Sequence, residues 1–154
     1  CVRECASLVF LQLPRGLRKI GRRAFYRCKQ LEELEFPEGL LAVEEEAFYF
    51  TGLKELRLPP KLQIIGNSAF FKCNNLTAVQ IPPSVRRIEK WAFHGCNRLR
   101  VVEILHDPEF IGEWITNKST KIRCKRGSKV DSYCREYGLQ TEYVENGEAM
   151  EEIH

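Results

Sequence analysis

Seven cysteines and three histidines are the side chains of this chain best suited to bind a metal or to act as a nucleophile or base. The histidines lie far apart in the sequence, and the dipeptide His106-Asp107 lacks the further ligands that a metal site requires. No C-x-x-C, H-x-x-x-H, H-E-x-x-H, G-x-S-x-G or glycine-rich phosphate-loop pattern occurs. We therefore expect no catalytic residue, no metal and no cofactor. An enzymatic site built from His106, Asp107 and the C-terminal cysteines is the alternative.

Four of the cysteines follow a regular spacing, so repeated elements must position them. Cys5, Cys28, Cys73 and Cys96 lie 23, 45 and 23 residues apart, and Thr51 fills the gap. A period of this length is typical of stacked repeats, each too short to bury its own apolar face.

Two further landmarks share this stepping. Ala-Phe pairs recur at steps of 23, 22 and 23 residues, and so do pairs of an apolar residue followed by proline. Both series contain the same one-residue deletion, which coincidence would rarely produce. The Ala-Phe pairs begin at Ala24, Ala47, Ala69 and Ala92, and the prolines are Pro14, Pro37, Pro59 and Pro82.

Each repeat predicts two short extended stretches. Leu56-Arg57-Leu58 and its counterparts alternate inward and outward positions like a strand, and the proline that follows ends it. A second stretch, around Leu62 to Ile65, would run along the opposite side of the coil. Stacked coils would then form two parallel ladders, with the four phenylalanines stacked between them.

These columns resemble the BspA-like leucine-rich repeats, whose pattern is L-x-x-I-x-I-P-x-x-h-x-x-I-G-x-x-A-F-x-x-C, where h is an aliphatic residue. Glu44 and Glu89 replace the glycine of that pattern, and Thr51 replaces a cysteine. The resemblance covers about residues 1–105. It implies a right-handed solenoid, secretion or display at a cell surface, and roles in adhesion and protein recognition. It implies no catalytic residues.

The chain therefore divides into three parts. Residues 1–105 are leucine-rich repeats, with units near 5–27, 28–50, 51–72 and 73–95 and a partial unit at 96–105. Residues 106–143 are expected to form a small α/β cap, and the acidic residues 144–154 a flexible tail. Because Cys1 falls in the alanine column, we expect the chain to be cut from a longer array and to expose an unpaired first coil.

The cap contains one predicted helix. Ser128 and Asp131 form a capping-box-like start, and Gly138 suits the end. The apolar stripe between them, which should cover the last repeat, consists of Val130, Tyr133, Cys134 and Tyr137.

The cysteines now divide into two groups. Those in the repeat column should pack as reduced core thiols, because parallel side-chain directions argue against disulfides between coils. Cys124 and Cys134 in the cap are the candidate disulfide pair if the protein is secreted.

The charges of the chain form blocks that the repeat brings together. The formal net charge is +3, but residues 1–29 hold eight Lys or Arg and residues 30–55 hold eight Glu. The repeat register places Arg22 and Arg23 beside Glu45 and Glu46, and Glu32 and Glu35 beside Lys54 and Arg57. A charged partner-binding face is the alternative to this structural pairing.

Composition limits the remaining classes of function. No apolar run is long enough to span a membrane, and no signal peptide is recognisable. A basic cluster in the cap lacks interleaved aromatic residues and any nucleic-acid motif, so we expect a solvated surface rather than nucleic-acid binding. The cluster consists of Lys118, Lys121, Arg123, Lys125, Arg126 and Lys129.

The resemblance, together with the lack of a recognisable catalytic motif, thus implies a non-catalytic interaction or adhesion module of a secreted or cell-surface protein, with a host or matrix protein as its ligand. The alternative is a structural spacer for a domain outside this chain. The ligand-binding face would be the outward row of the first ladder. Its residues are Phe10, Gln12, Glu33, Glu35, Glu55, Arg57, Ala78, Gln80, Val101 and Glu103.

Overall fold

The computed structural model of the protein describes residues 9–144, which form a parallel-stranded solenoid with one helix. The predictions for Cys1, Cys5 and residues 145–154 lie outside these described residues. In chain order the elements are β1 (Phe10–Gln12), β2 (Lys19–Ile20), β3 (Glu33–Glu35), β4 (Ala42–Val43), β5 (Ile64–Ile65), β6 (Ala78–Ile81), β7 (Arg87–Ile88), β8 (Val101–Ile104), β9 (Phe110–Ile111), β10 (Lys121–Cys124), α1 (Lys129–Tyr137) and β11 (Thr141–Tyr143).

Parallel strands build two sides of the solenoid. The first ladder contains β1 and β3 in one sheet and β6, β8, β10 and β11 in another, whereas the second contains β2, β4, β5, β7 and β9. Along β6, the outward Ala78 and Gln80 alternate with the buried Val79 and Ile81, because successive side chains of a strand point to opposite faces. The predicted solenoid with two parallel ladders is therefore confirmed.

The third side of each coil is a turn that also hydrogen-bonds to the next coil. The Phe25 amide donates to the Ala47 carbonyl at 2.8 Å, and the later phenylalanines of the column repeat this bond. Two positions of the turn have a left-handed backbone. Of the nine described residues at these positions, only one is glycine. The first position is held by Arg23, Glu46, Ser68, Trp91 and Trp114, and the second by Arg27, Phe50, Lys72 and Gly95.

Four phenylalanines stack along the solenoid axis, as their shared column predicted. The ring centroids of Phe25 and Phe48 are 5.2 Å apart, and the next two steps, to Phe70 and Phe93, are each 5.3 Å. The alanine before each phenylalanine is buried, which leaves room for the neighbouring backbone. One continuous apolar core runs from the first described coils into the helix.

Strand pairing continues beyond Ile104, past the expected boundary of the repeats. Strand β9 extends the second ladder through the pair Ile88–Ile111, and β10 and β11 extend the first ladder. Val144, at the start of the expected tail, is buried, and its amide donates to the Cys124 carbonyl at 2.9 Å. The part of the chain after residue 105 therefore adds strands to both ladders as well as a helix.

Helix α1 closes this end of the core in the way that its sequence predicted. The Asp131 amide donates to the Ser128 hydroxyl at 3.1 Å, and Gly138 ends the helix with a φ of 69°. On the predicted stripe, Val130, Tyr133 and Cys134 are buried, and Tyr137 packs against the core at their edge. The Tyr133 hydroxyl anchors the helix by donating to the Gly112 carbonyl at 2.7 Å.

Candidate functional site

The outward row of the first ladder, the predicted ligand-binding face, is brought together in two groups. Its paired positions are Phe10–Glu33, Gln12–Glu35, Ala78–Val101 and Gln80–Glu103. The row residues of β1 and β3 are exposed, and so are Ala78 and Gln80 of β6. Val101 is half-buried. Glu103 differs, because it is only 9% exposed.

Glu55 and Arg57 lie between these groups, at a point where the first ladder is interrupted. The strand expected at Leu56-Arg57-Leu58 does not form, although the burial of these residues still alternates. The turn before it is one residue short. Leu53 lies six positions after Ala47, whereas the corresponding leucine of the other repeats lies seven positions after its alanine. The double proline that follows is not the cause, because regular strand β6 is followed by a double proline as well.

A groove of about 960 Å³ opens along the first ladder next to the interruption. Residues 54–58 line one side of it, and the ends of β6 and β8 line the other. Its charged side chains include Lys54, Arg57, Glu55 and Glu103, so the groove carries both signs of charge. A shallow groove of mixed polarity suits an extended partner segment better than an enclosed substrate.

Glu103 and His106 supply buried polar atoms to this groove. Arg123 Nη1 lies 3.4 Å from Glu103 Oε2, and Arg123 Nε lies 3.5 Å from a Glu142 carboxylate oxygen. Burial raises the pKa of the Glu103 carboxyl, and the Arg123 charge works against that rise. His106 Nε2 donates to the Val85 carbonyl at 2.7 Å, and its buried Nδ1 has no hydrogen-bond partner among residues 9–144.

Opposite charges pair between neighbouring coils, as the repeat register predicted. Arg22 lies 3.6 Å from Glu45, Arg23 lies 2.6 Å from Glu46, and Lys54 lies 3.2 Å from Glu32. The fourth pair differs from the prediction, because Arg57 contacts Glu55 of its own coil, at 3.8 Å. Exposed pairs of this kind contribute only about 0.2–1 kcal/mol each, so they align coils more than they stabilise them.

The basic cluster of the cap is partly neutralised by acidic side chains. Lys121 lies 3.5 Å from Glu142, which also contacts Arg123. The Arg126 guanidinium lies over the Tyr143 ring, 4.2 Å from its centroid. The cluster is therefore built into the fold at several points rather than displayed as one basic stripe.

The cysteine column is mixed in its redox state. Cys73 and Cys96 are buried free thiols, and their Sγ atoms donate to the carbonyls of Phe48 and Phe70, each at 3.2 Å. Cys28, by contrast, is disulfide-bonded, so the expectation of reduced thiols throughout the column was wrong at this position. Side-chain direction alone therefore does not exclude a disulfide at this position of the column.

The candidate disulfide pair of the cap is present as two buried free thiols in contact. Cys124 and Cys134 are hydrogen-bonded to each other, which lowers the pKa of the Cys124 thiol and raises that of Cys134. Strand β10 and helix α1 position these two side chains. Their oxidation to a disulfide stays a prediction.

The residues that could have formed an enzymatic site have separate partners. His106 bonds to the Val85 backbone, and Asp107 Oδ1 accepts a hydrogen bond from the Lys129 amide at 3.0 Å. Within residues 9–144, no three His, Cys, Asp or Glu side chains group in a way that could hold a metal ion. The one described helix is too short and too polar to span a membrane.

A second surface, on the third side of the solenoid, was not selected by the sequence analysis. Tyr26, Tyr49, Phe71 and His94 stack one above another, with ring centroids 4.9, 5.2 and 5.8 Å apart. The signal was present in the sequence, because these residues form the column directly after the buried phenylalanines. We call this row the aromatic ribbon.

The aromatic ribbon ends in a groove of about 520 Å³ that is lined by residues of three successive coils. We call it the tryptophan groove, and it is lined by Phe71, Trp91, His94, Trp114, Asn117 and Lys118. Both tryptophans of the chain are part of it. The two tryptophan side chains project because both residues occupy the first left-handed position of the turn, in successive coils. Their φ values are 64° and 46°.

Comparison with known families identifies one match to the sequence. The family described as BspA type leucine rich repeat region matches residues 1–123 in six copies. No curated protein sequence matches the chain.

Solved structures with a similar fold come from bacteria. The chain superposes on the pneumococcal vaccine antigen PcpA with a TM-score of 0.67 at 17% identity, covering 88% of this chain and 41% of that one. The leucine rich repeat protein TpLRR of T. pallidum gives 0.58 at 25% identity, with 91% and 75% covered. A leucine rich cell surface protein of Faecalibacterium prausnitzii gives 0.53 at 24% identity, with 77% and 41% covered. The chain thus spans about two fifths of the first and third of these proteins.

Proposed function

The chain belongs to the BspA-type leucine-rich repeat family, and from this premise we propose that it is a protein-interaction or adhesion module of a secreted or cell-surface protein. Its ligand would be a host or matrix protein. Leucine-rich repeats typically mediate protein interactions, which supports the general class.

The observation that carries the proposal is the exposed row on the first ladder. Hydrogen-bonded parallel strands hold Phe10 beside Glu33, and Gln12 beside Glu35, in fixed register. Little backbone freedom would be lost at such a row on binding, which lowers the entropic cost of an interface. The adjoining groove along residues 54–58 would receive a segment of the ligand.

Location outside the cell is supported by two independent observations. Cys28 is disulfide-bonded, and disulfides persist mainly in oxidising compartments. The printed names of two structural relatives describe a vaccine antigen and a cell surface protein.

The absence of catalysis is part of the proposal. The family consists of non-enzymatic repeat proteins. His106, Asp107 and the cap cysteines each have a structural partner and do not converge on one cavity.

A structural spacer is the second candidate function, and one observation favours it. The row lacks the clustered Tyr, Trp and Arg that dominate binding hot spots, and the one arginine in it, Arg57, is held by Glu55. A spacer would need only the rigid stack.

Binding of immobilised fibronectin, laminin and collagen by the purified chain tests the proposal. We expect saturable binding to at least one of these probes. Charge reversal by Glu33→Lys, Glu35→Lys and Arg57→Glu together should weaken it by roughly tenfold or more.

The matched control is the triple variant Glu109→Lys, Lys61→Glu and Glu136→Lys, which changes the same number of exposed charges away from the row. It should bind like the unmodified chain. Equal affinity of both triple variants would overturn the assignment to the first ladder, and no binding to any probe would favour the spacer.

A further inference from the structure

The tryptophan groove has the composition of a binding site and lies on a different side of the solenoid from the first ladder. Lys90 Nζ sits 4.2 Å from the Trp91 ring centroid, and Trp91 is 39% exposed. Trp114 meets the Tyr137 ring edge-on at 5.1 Å, so helix α1 fixes this wall. Phe71 and His94 form the floor, stacked at 5.8 Å.

The charge around the tryptophan groove is positive. Lys118 lines it, Lys72 Nζ lies 5.8 Å from the Phe71 ring, and no lining residue is acidic. Lys90, which flanks the groove, lies 4.0 Å from Glu113. Further along the ribbon, Arg27 and Lys29 lie over the Phe50 ring, which continues the basic border. Charge complementarity therefore requires an acidic occupant.

Hydrogen-bonding capacity in the tryptophan groove is low. Asn117 Oδ1 accepts from the Gly95 amide at 2.9 Å, and its Nδ2 donates to the Cys96 carbonyl at 3.2 Å, so the fold already engages both ends of the amide. His94 Nδ1 lies 3.4 Å from the Thr116 carbonyl. A sugar placed here would find few fixed hydrogen-bond partners for its many hydroxyl groups. An apolar side chain would need none.

We propose that the tryptophan groove binds an aromatic or large aliphatic side chain carried by an acidic peptide segment of a protein partner. The apolar side chain would pack between Trp91 and Trp114, and flanking carboxylates would meet Lys72 and Lys118. Tryptophan is among the residues most enriched at interface hot spots. The site is independent of the first-ladder row, so either can fail without the other.

Intrinsic tryptophan fluorescence offers a selective measurement, because the chain has two tryptophans and both line the groove. The probe is the synthetic peptide acetyl-Asp-Glu-Phe-Glu-Asp-amide, titrated into the purified full chain. We expect a saturable change in emission. Its apparent affinity should fall by roughly fivefold or more when the ionic strength rises from about 0.05 M to about 0.5 M.

Two control peptides separate the parts of the proposal. Replacing the central Phe by Ala should weaken binding by roughly tenfold, and replacing the four acids by Lys should abolish it. Equal binding of either control peptide would overturn the proposal. So would tighter binding of a heparin oligosaccharide, which would make the site a polyanion surface.

Variants of the chain test the residues themselves. Lys72→Glu with Lys118→Glu should weaken peptide binding by roughly tenfold, whereas the control Lys61→Glu with Arg86→Glu, on exposed residues outside the groove, should not. Trp91→Phe should retain binding and Trp91→Ala should lose it. Circular dichroism verifies that each variant is folded.

The acidic segment from Glu145 to His154 is the competing occupant. Charge reversal by Glu151→Lys with Glu152→Lys in the full chain should leave tryptophan emission unchanged without peptide. If the emission of this variant shifts without peptide, and adding peptide causes no further change, the groove is assigned to the chain's own tail. That result would overturn binding of a separate partner.

Discussion

Asp131 connects several parts of the cap through a single carboxylate. Its Oδ2 accepts a hydrogen bond from the Gly127 amide at 2.8 Å, and its Oδ1 accepts one from the Tyr143 hydroxyl at 3.0 Å. The side chain is buried, and Arg135 lies 3.4 Å away. It therefore joins the start of α1 to β11, the last strand of the first ladder.

These contacts make the stability of the cap dependent on pH. The Gly127 amide, followed by Tyr143 and Arg135, lowers the pKa of Asp131 below its ordinary value of 3.8. Since the folded pKa is the lower one, the stabilisation is complete above the unfolded pKa. It is lost as the pH falls through the folded pKa.

Asp131→Asn should therefore lower the thermal midpoint at neutral pH, and the deficit relative to the unmodified chain should shrink below about pH 4. Glu136→Gln is the matched control, because it removes an exposed negative charge from the same helix. Thermal unfolding followed by circular dichroism between neutral and acidic pH measures both. A deficit for Asp131→Asn that does not change with pH would contradict this account.

Backbone strain at the turn is also a residue-scale feature. Among residues 9–144, eight non-glycine residues hold a left-handed backbone, and all fall on the two turn columns. Such a conformation costs about 1–2 kcal/mol per L-residue. Hydrogen bonds between coils offset that cost, as where the Arg27 amide donates to the Tyr49 carbonyl at 2.7 Å.

Among the elements, the interrupted ladder has the clearest local cause. The short turn before residue 53 brings Gly52 against the previous coil, where a Cβ would lie 2.3 Å from the Lys29 carbonyl oxygen. The Lys54 amide still bonds to Glu32, but the strand does not continue. We attribute the lost pairing at residues 55–58 to the missing residue in this turn.

Restoring the length of this turn should restore the strand. Replacing residues 50–52 by the four-residue sequence of residues 72–75 should slow amide hydrogen exchange at residues 55–57, because their amides would join the ladder. The control replaces residues 27–30 by the same four residues, which changes composition without changing length. Unaltered exchange in the lengthened variant would mean that the turn is not the cause.

The predictability of the elements differs for physical reasons. Helix α1 and the phenylalanine stack could be predicted, because capping residues and a buried apolar period leave a local signature. The hydrogen-bonded turns on the third side of the solenoid could not be predicted, because their left-handed positions hold residues such as Arg23 and Glu46 rather than glycine. Alternation at Leu56-Arg57-Leu58 describes burial correctly, but pairing also depends on the preceding turn.

The candidate surfaces show the same limit. The register placed the first-ladder row correctly, yet the burial of Glu103 depends on Arg123 of a coil that the repeat pattern did not include. The tryptophan groove depends on Trp91 and Trp114 projecting from left-handed positions, which spacing alone does not reveal.

At the scale of the whole molecule, the phenylalanine stack joins the coils into one core. Phe70 is fully buried between Phe48 and Phe93. Phe70→Ala should lower the free energy of unfolding by ~3–5 kcal/mol, because it removes packing and leaves a cavity.

Phe110→Ala provides the matched control for that substitution. Phe110 is 40% exposed, with the Arg87 guanidinium 4.5 Å from its ring centroid, so its loss should cost about 1 kcal/mol or less. Urea unfolding followed by fluorescence and circular dichroism measures both variants. Equal losses would show that the stack is not the main support of the core.

The hydrogen bonds on all three sides of the solenoid join one coil to the next, so they run along its axis. A mechanical pull between the two ends would load these bonds a coil at a time rather than all together. Each released coil of 22 or 23 residues would lengthen from about 4.8 Å of ladder to roughly 80 Å of extended chain. An array of such coils would yield stepwise under tension and keep its remaining coils folded.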